Sequence, residues 1–225
     1  MSWIEELRQM RHQVNLARFR YLLGTGETNT GLGRTAWILY GLVRSLQPEV
    51  AVEIGTARGW SACHIGLALR ENIKGRLYAI DPHSDTAWND VGSRGESTLP
   101  ALRRKLRRMR LDDYVKIVRM ESRAAAVGWK KPIDLLFIDG DHSYAGVKAD
   151  WELFSPHLSR FGVAAFHDTT WQYHRGDPFY REDMGVPRFV EELRLAGHPV
   201  VTIDRDCGLS LVQRQPGGIP LMPPD

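Results

Sequence analysis

Four short stretches carry the residue types that chemistry needs. The first, Glu53-Ile-Gly55-Thr-Ala-Arg-Gly59-Trp-Ser61, joins a β-branched run over Glu49–Ile54 to a helix-like stretch over Trp60–Arg70. Glycines there let the backbone come close to a nucleotide-like ligand, and a helix start offers unpaired N–H groups. The spacing is not the dinucleotide fingerprint, because Ala57 stands at its middle position, and no Gly-Lys-Ser/Thr follows to cradle phosphates. The second signal is Asp81, which ends the run Arg76–Asp81 and lies 22 residues beyond Gly59. An acid at about that distance accepts ribose hydroxyls in dinucleotide-binding folds. The third is Asp139-Gly-Asp141-His142, after the run Ile133–Ile138, and the fourth is His167-Asp168, after Gly162–Phe166. Two carboxylates and a histidine that converge can hold a divalent cation, and a further histidine can take up a proton. Singly, each is as well explained by a turn or a helix cap. Four at the ends of strands on one rim are not.

The elements that position these groups alternate. Strand candidates at Glu49–Ile54, Arg76–Asp81, Val115–Arg119, Ile133–Ile138 and Gly162–Phe166 are separated by helical patterns at Trp60–Arg70, Leu99–Arg110 and Tyr144–Leu158. Alternation of this kind gives βαβ units and a parallel sheet, with ligands at the carboxyl ends of the strands. After a helix at Val186–Leu195, the runs Pro199–Ile203 and Leu209–Gln213 flank the short turn Asp204–Gly208, which only an antiparallel pair can use. At the other end, Ser2 and Glu5 have capping-box spacing, and Trp3, Leu7, Met10, Val14, Ala17 and Tyr21 follow alternating four- and three-residue steps. That stripe packs on the body of the domain or forms a contact with a second copy. A Gly- and Thr-rich break (Gly24–Gly33) precedes a second helix at about Arg34–Leu46. The resulting organisation is an N-terminal helix and loop (1–30), one α/β domain (31–214) and a loosely held Pro/Gly-rich tail (215–225).

Composition narrows the class. The 225 residues carry 30 Lys+Arg against 27 Asp+Glu, a formal charge of +3, with 43% hydrophobic and 25% charged residues. That excludes a disordered chain and is a weak field for a polyanion, although arginine outnumbers lysine 24 to 6. Two cysteines, Cys63 and Cys207, give neither a disulfide framework nor a zinc spacing. No apolar run reaches the length of a membrane span, and the N-terminus lacks the apolar core of a secretory signal. A cytoplasmic protein, with no membrane or nucleic-acid partner, is expected.

With these motifs in their order, the sequence resembles the class I S-adenosylmethionine-dependent O-methyltransferases. It is most similar to the metal-dependent small-molecule branch that includes catechol and macrolide sugar O-methyltransferases. EIGTARGWS, LYAID, DLLFIDGDHSY and AAFHDT carry the resemblance, which spans about Thr30–Gln213. It implies a Rossmann-like, seven-stranded, mostly parallel sheet with a C-terminal antiparallel hairpin and helices on both faces. It also implies a cofactor, S-adenosylmethionine, held by Glu53, Gly55, Gly59, Ser61, Asp81, Glu121, Ser122 and Asp139. Asp139, His167 and Asp168 match metal-binding positions, for Mg²⁺ or a transition ion such as Mn²⁺, and His142 stands where the family has its base. One departure is His167, where the family usually has an acid; imidazole is a poor magnesium ligand. Trp171, Tyr173 and His174, in the loop Thr169–Gly185, are candidates to contact the acceptor, a hydroxyl of a small polar molecule, as is Trp88 in Pro82–Thr98. Two rivals stand beside this reading. Arg103–Arg110 suggests an RNA methyltransferase, and the histidines with the acids suggest a non-haem iron oxygenase.

Overall fold

The computed structural model describes residues 3–23, 32–84, 98–176 and 180–214, apart from the side chains of residues 8, 11, 15, 18 and 20–23. Ser2, the break at 24–31, Trp88, Asp177, Phe179, the 215–225 tail and the side chain of Tyr21 therefore lie outside the described residues. The sheet has seven strands: β1 (Val50–Ile54), β2 (Arg76–Ile80), β3 (Val115–Val118), β4 (Ile133–Ile138), β5 (Leu158–His167), β6 (Val200–Ile203) and β7 (Leu209–Gln213). Their order is β3-β2-β1-β4-β5-β7-β6. β1 to β5 run parallel to one another, while β7 runs antiparallel to both β5 and β6.

The central strands are short runs of Val, Ile, Leu, Ala and Phe buried on both faces, as a sheet covered by helices on either side requires. One core layer joins Leu39, Val43, Ile65, Leu69, Leu102 and Leu106 to Leu77, Leu135 and Phe137. They come from α2 (Ala36–Leu46), α3 (Trp60–Asn72), α4 (Leu99–Met109) and the strands. The other joins Val52, Ile138 and Phe166 to Val147, Trp151, Phe154, Phe189 and Leu193. Its helices are α6 (Tyr144–Phe154) and α7 (Val186–Leu195), with the short α5 (Ser122–Ala126) beside them. In α4, Leu102, Leu106 and Met109 are buried while Arg103, Arg104, Arg107 and Arg108 face outward or sit at the margin. The arginine run is the solvated side of an amphipathic helix.

Two expectations change. β5 begins at Leu158, four residues before the predicted start, because its register against β4 shifts between Ile133 and Leu135. Gly162 permits the close approach there: a Cβ on it would stand 2.6 Å from the Ile133 carbonyl oxygen. The stripe on α1 (Trp3–Leu23) does not pack on the body. Trp3, Leu7, Met10 and Val14 are exposed, and the helix leans on the domain through His12, Leu16 and Phe19. No helix among the described residues is long and apolar enough to cross a membrane.

Candidate active site

The chain leaves β1 toward β2 and β3, then returns to β4 on the other side of β1. In open α/β sheets, the crevice beyond such a switch point is where ligands bind. Gly55 and Asp139 face each other there. The Asp139 N–H donates to the Ile54 carbonyl at 2.9 Å, and a Cβ on Gly55, whose φ is +86°, would lie 2.1 Å from the Asp139 carbonyl oxygen.

Glu53 is fully buried beneath the turn, with the Thr56 hydroxyl at 3.1 Å from Oε2 and the Ser61 hydroxyl on Oε1. Burial pushes its carboxyl up to about 8, so it is neutral at physiological pH and ties both sides of the turn through uncharged hydrogen bonds. Gly59 (φ +80°) starts α3, where a Cβ would strike Leu102. Asp81 braces the turn from the next strand. Its Oδ2 accepts the N–H groups of Thr56 (2.9 Å) and Ala57 (2.7 Å), and its Oδ1 accepts that of His83 (2.6 Å). A carboxylate has about four acceptor positions, so one remains for a ligand hydroxyl. Glu121 is exposed just before α5, whose first residue is Ser122. Ser122 hydrogen-bonds Asp150, a carboxyl that burial pushes up to about 6.

The ends of β4 and β5 carry charge instead. His142 Nδ1 lies 2.8 Å from Asp168 Oδ2. His167, 3% exposed, has Nδ1 at 3.1 Å from Asp139 Oδ1 and 3.3 Å from Asp168 Oδ1. Its Nε2 donates to the Asp206 backbone carbonyl at 2.8 Å, which fixes the ring and turns Nδ1 toward the carboxylates. Burial opposes charge on both rings. The carboxylates outweigh it, Asp168 foremost, and hold His142 above the ordinary histidine range and His167 well above it. Burial alone would raise Asp168, but the two imidazoles hold it well below the usual carboxylate range. Asp168 has a left-handed backbone (φ +60°), an uncommon conformation of the kind that collects at functional sites.

Donor atoms of Asp139, His142 and Asp168 lie within 4.8 Å of one another, close enough for one cation to bridge. The expected trio named His167 instead of His142; His167 abuts both carboxylates but falls outside that group of three. A histidine whose second nitrogen is pinned by a backbone carbonyl is held as metal-ligating histidines usually are. Carboxylates with imidazoles suit Mn²⁺, Fe²⁺ or Zn²⁺ better than Mg²⁺. The donor set therefore fits a divalent transition ion.

Beyond Asp168, Trp171 is buried and lies parallel to Tyr180, with ring centres 6.2 Å apart. With Gln172, Arg181, Met184 and Arg188 they line a hollow of about 360 Å³. Tyr173 is exposed and His174 faces Asp204 at 3.8 Å; neither lines the hollow. Gly185 N–H bonds the His142 carbonyl at 2.8 Å, which joins the far wall to the base candidate. Asp206 was not foreseen. Its carbonyl holds His167, and its carboxylate accepts the N–H groups of Arg34 (2.7 Å) and Thr35 (2.9 Å) at the start of the second helical segment. In sequence it is one of two acids in a tight turn, and nothing there distinguishes it.

A family model described as a methyltransferase domain matches residues 52–169. The chain belongs to that family. The match runs from β1 to just past Asp168 and so takes in both halves of the crevice. Among curated proteins, an uncharacterized protein (y4gI) of Sinorhizobium fredii is 29% identical over 160 residues; that alignment covers 62% of this chain and 16% of the relative. The chain thus spans about a sixth of that relative's length. Solved structures share the fold. The S-adenosylhomocysteine-bound methyltransferase PaMTH1 of Podospora anserina has a TM-score of 0.64 at 13% identity, covering 90% of this chain and 88% of that one. The O-methyltransferase TomG of Streptomyces achromogenes, in complex with S-adenosylmethionine, has a TM-score of 0.60 at 19% identity, with 80% and 79% covered. An O-methyltransferase of Bacillus cereus in complex with S-adenosylhomocysteine has a TM-score of 0.59 at 17% identity, with 92% and 90% covered.

Proposed function

We propose that this methyltransferase-domain protein transfers a methyl group from S-adenosylmethionine to a hydroxyl of a small polar molecule. The observation that carries the oxygen acceptor is the Asp168–His142 pair on the rim, across the crevice from the glycine turn. The sulfonium donor is already activated, so the protein's tasks are alignment and removal of one proton. Holding the two reactants in line supplies ~7–11 kcal/mol through effective concentration.

A neutral His142 with its proton on Nδ1, facing Asp168, carries its lone pair on Nε2. That nitrogen takes the acceptor's hydroxyl proton as the oxygen attacks the methyl carbon. The new C–O bond forms while the S–CH₃ bond breaks, and the bonding pair stays on sulfur. Asp168 stabilises the imidazolium that results, as the carboxylate does in a Ser-His-Asp triad. Asp139, His167 and Asp168 would hold a divalent ion, which when bound lowers the pKa of a chelated hydroxyl and leaves His142 as the base. Gly55, Gly59, Ser61 and Asp81 would face the cofactor, with Glu121 and Ser122 toward its base. Trp171 and Tyr180 would form an apolar wall for the acceptor.

The test is transfer of a labelled methyl group from S-adenosylmethionine to a panel of catechols and free sugars, with and without chelator. Calorimetry with S-adenosylhomocysteine runs beside it. The reading expects binding and labelling of at least one hydroxyl compound, reduced by chelation. No binding of S-adenosylhomocysteine overturns it.

A further inference from the structure

Asp81 owes part of its orientation to the residue two places on. Its third peptide N–H comes from His83, at 2.6 Å on Oδ1. To aim that N–H backward, His83 adopts a left-handed backbone, φ +51°. Residues with a Cβ avoid this region unless their surroundings hold them in it. Here the ring supplies the hold. It is buried, and its Nδ1 is hydrogen-bonded to the Thr98 hydroxyl at 2.8 Å, across the base of the loop that separates them. The same nitrogen stands 3.7 Å from Asp81 Oδ1, beyond hydrogen-bond reach, so the carboxylate is left to the peptide N–H groups. Burial keeps the ring below the ordinary histidine range, against the pull of Asp81 and helped by Arg119 and Arg103. It is a neutral strut. Thr98 is the N-cap of α4, where a hydroxyl ordinarily accepts a helix N–H. This one caps nothing: the second helical residue is Pro100, which has no N–H, and the hydroxyl turns to His83 instead. α4 in turn meets the glycine turn from its far side, where Leu102 fills the space above Gly59 and Lys105 Nζ donates to the Arg58 carbonyl at 3.1 Å. The turn, Asp81, His83, Thr98 and α4 form a closed ring of contacts.

We infer that His83 is a positioning residue for the ribose of the cofactor, acting through Asp81. The inference rests on S-adenosylmethionine being that cofactor, with a ribose hydroxyl on Asp81. Tied to Thr98, the His83 peptide is locked with its N–H on Oδ1, while Thr56 and Ala57 hold Oδ2. Three donors on two oxygens leave the carboxylate no freedom to turn, and the remaining acceptor position is offered to the ligand in one direction. Without the tie, the backbone of His83 is released from its left-handed conformation and the N–H leaves Oδ1. Asp81 then keeps its charge and its place but loses its aim.

Calorimetry on the full chain compares S-adenosylhomocysteine with its analogues lacking the 2′- or the 3′-hydroxyl. Wild type is expected to bind at least one analogue roughly 10–100-fold more weakly, the range for a hydrogen bond to a charged group. Thr98→Val removes the hydroxyl at nearly constant volume. It should weaken S-adenosylhomocysteine by about 10-fold and that analogue by less than about 2-fold. His83→Ala should do the same. His83→Asn tolerates the left-handed backbone and sets an amide near the Nδ1 position, so it should restore the preference. A loss shared equally by all three ligands, as a general loosening of the fold would give, overturns the proposal. So does an unchanged preference in Thr98→Val and His83→Ala, or a His83→Asn chain that behaves as His83→Ala does. Those outcomes leave the cofactor reading standing. A wild-type chain that binds S-adenosylhomocysteine and both analogues alike takes the ribose away from Asp81, and one that binds none of them takes away the cofactor; either overturns the role of His83 as well.

Discussion

The two halves of the crevice are stiffened by opposite means. The turn after β1 is held mainly through the backbone: glycines at positive φ, peptide N–H groups on the Asp81 carboxylate, and a buried Glu53 between two hydroxyls. The ends of β4 and β5 are held by two carboxylates and two imidazoles within about 3 Å of one another. A region that cradles an already activated donor has no proton to move. A region that moves a proton needs groups whose charge can change.

The largest expected effect separates the halves directly. His142→Ala should cut turnover by ~10²–10⁴ while S-adenosylhomocysteine affinity stays near wild type; single-turnover kinetics and calorimetry read the two quantities. Because Asp168 raises the His142 pKa, turnover should climb with pH through a midpoint above the ordinary 6.5. A flat profile in wild type would remove His142 as the base. Gly55→Ala should do the reverse and act first on the donor. The added Cβ meets the Asp139 carbonyl at a positive φ, so a loss of ~2–4 kcal/mol in stability is expected, with weakened cofactor binding. Urea melts and calorimetry measure both.

Asp206→Ala sits between the halves. It keeps the backbone carbonyl on His167 but frees two N–H groups at the entry to α2, for ~1 kcal/mol and a lowered Tm. At acidic pH the smallest change is Glu53→Gln. Glu53 is protonated up to about 8 in the folded protein and ionises near 4.5 when unfolded. Its stabilising contribution is complete below 4.5 and declines as pH rises to about 8. The amide variant should match wild type below pH 4.5 and flatten that decline; an unchanged slope of Tm against pH would assign the burial penalty elsewhere.

Much of this was legible in the residues. Alternating runs gave the parallel strands, and turn residues at their ends placed Gly55, Asp81, Asp139 and Asp168 on one rim, because parallel strands share a carboxyl edge. What stayed hidden depends on tertiary contact. α5 is five residues long and too short to show a period. The first part of β5 is broken by Ser159, Arg160 and Gly162, a pattern that only the bulge against Ile133 explains. Asp206 acts through its carbonyl, a group every residue has. The apolar spacing of α1 was visible, but which of its two sides faced inward was decided by Phe19 finding Trp37 and His64.

The missing side chain at Gly55 has a mechanical consequence. Neighbouring strands stand ~4.8 Å apart, and nothing wider than a hydrogen atom separates this bend from the peptide of Asp139. Donor and acceptor supports are therefore gauged against a single rigid spacing of the sheet, and no rotamer intervenes to let that interval drift.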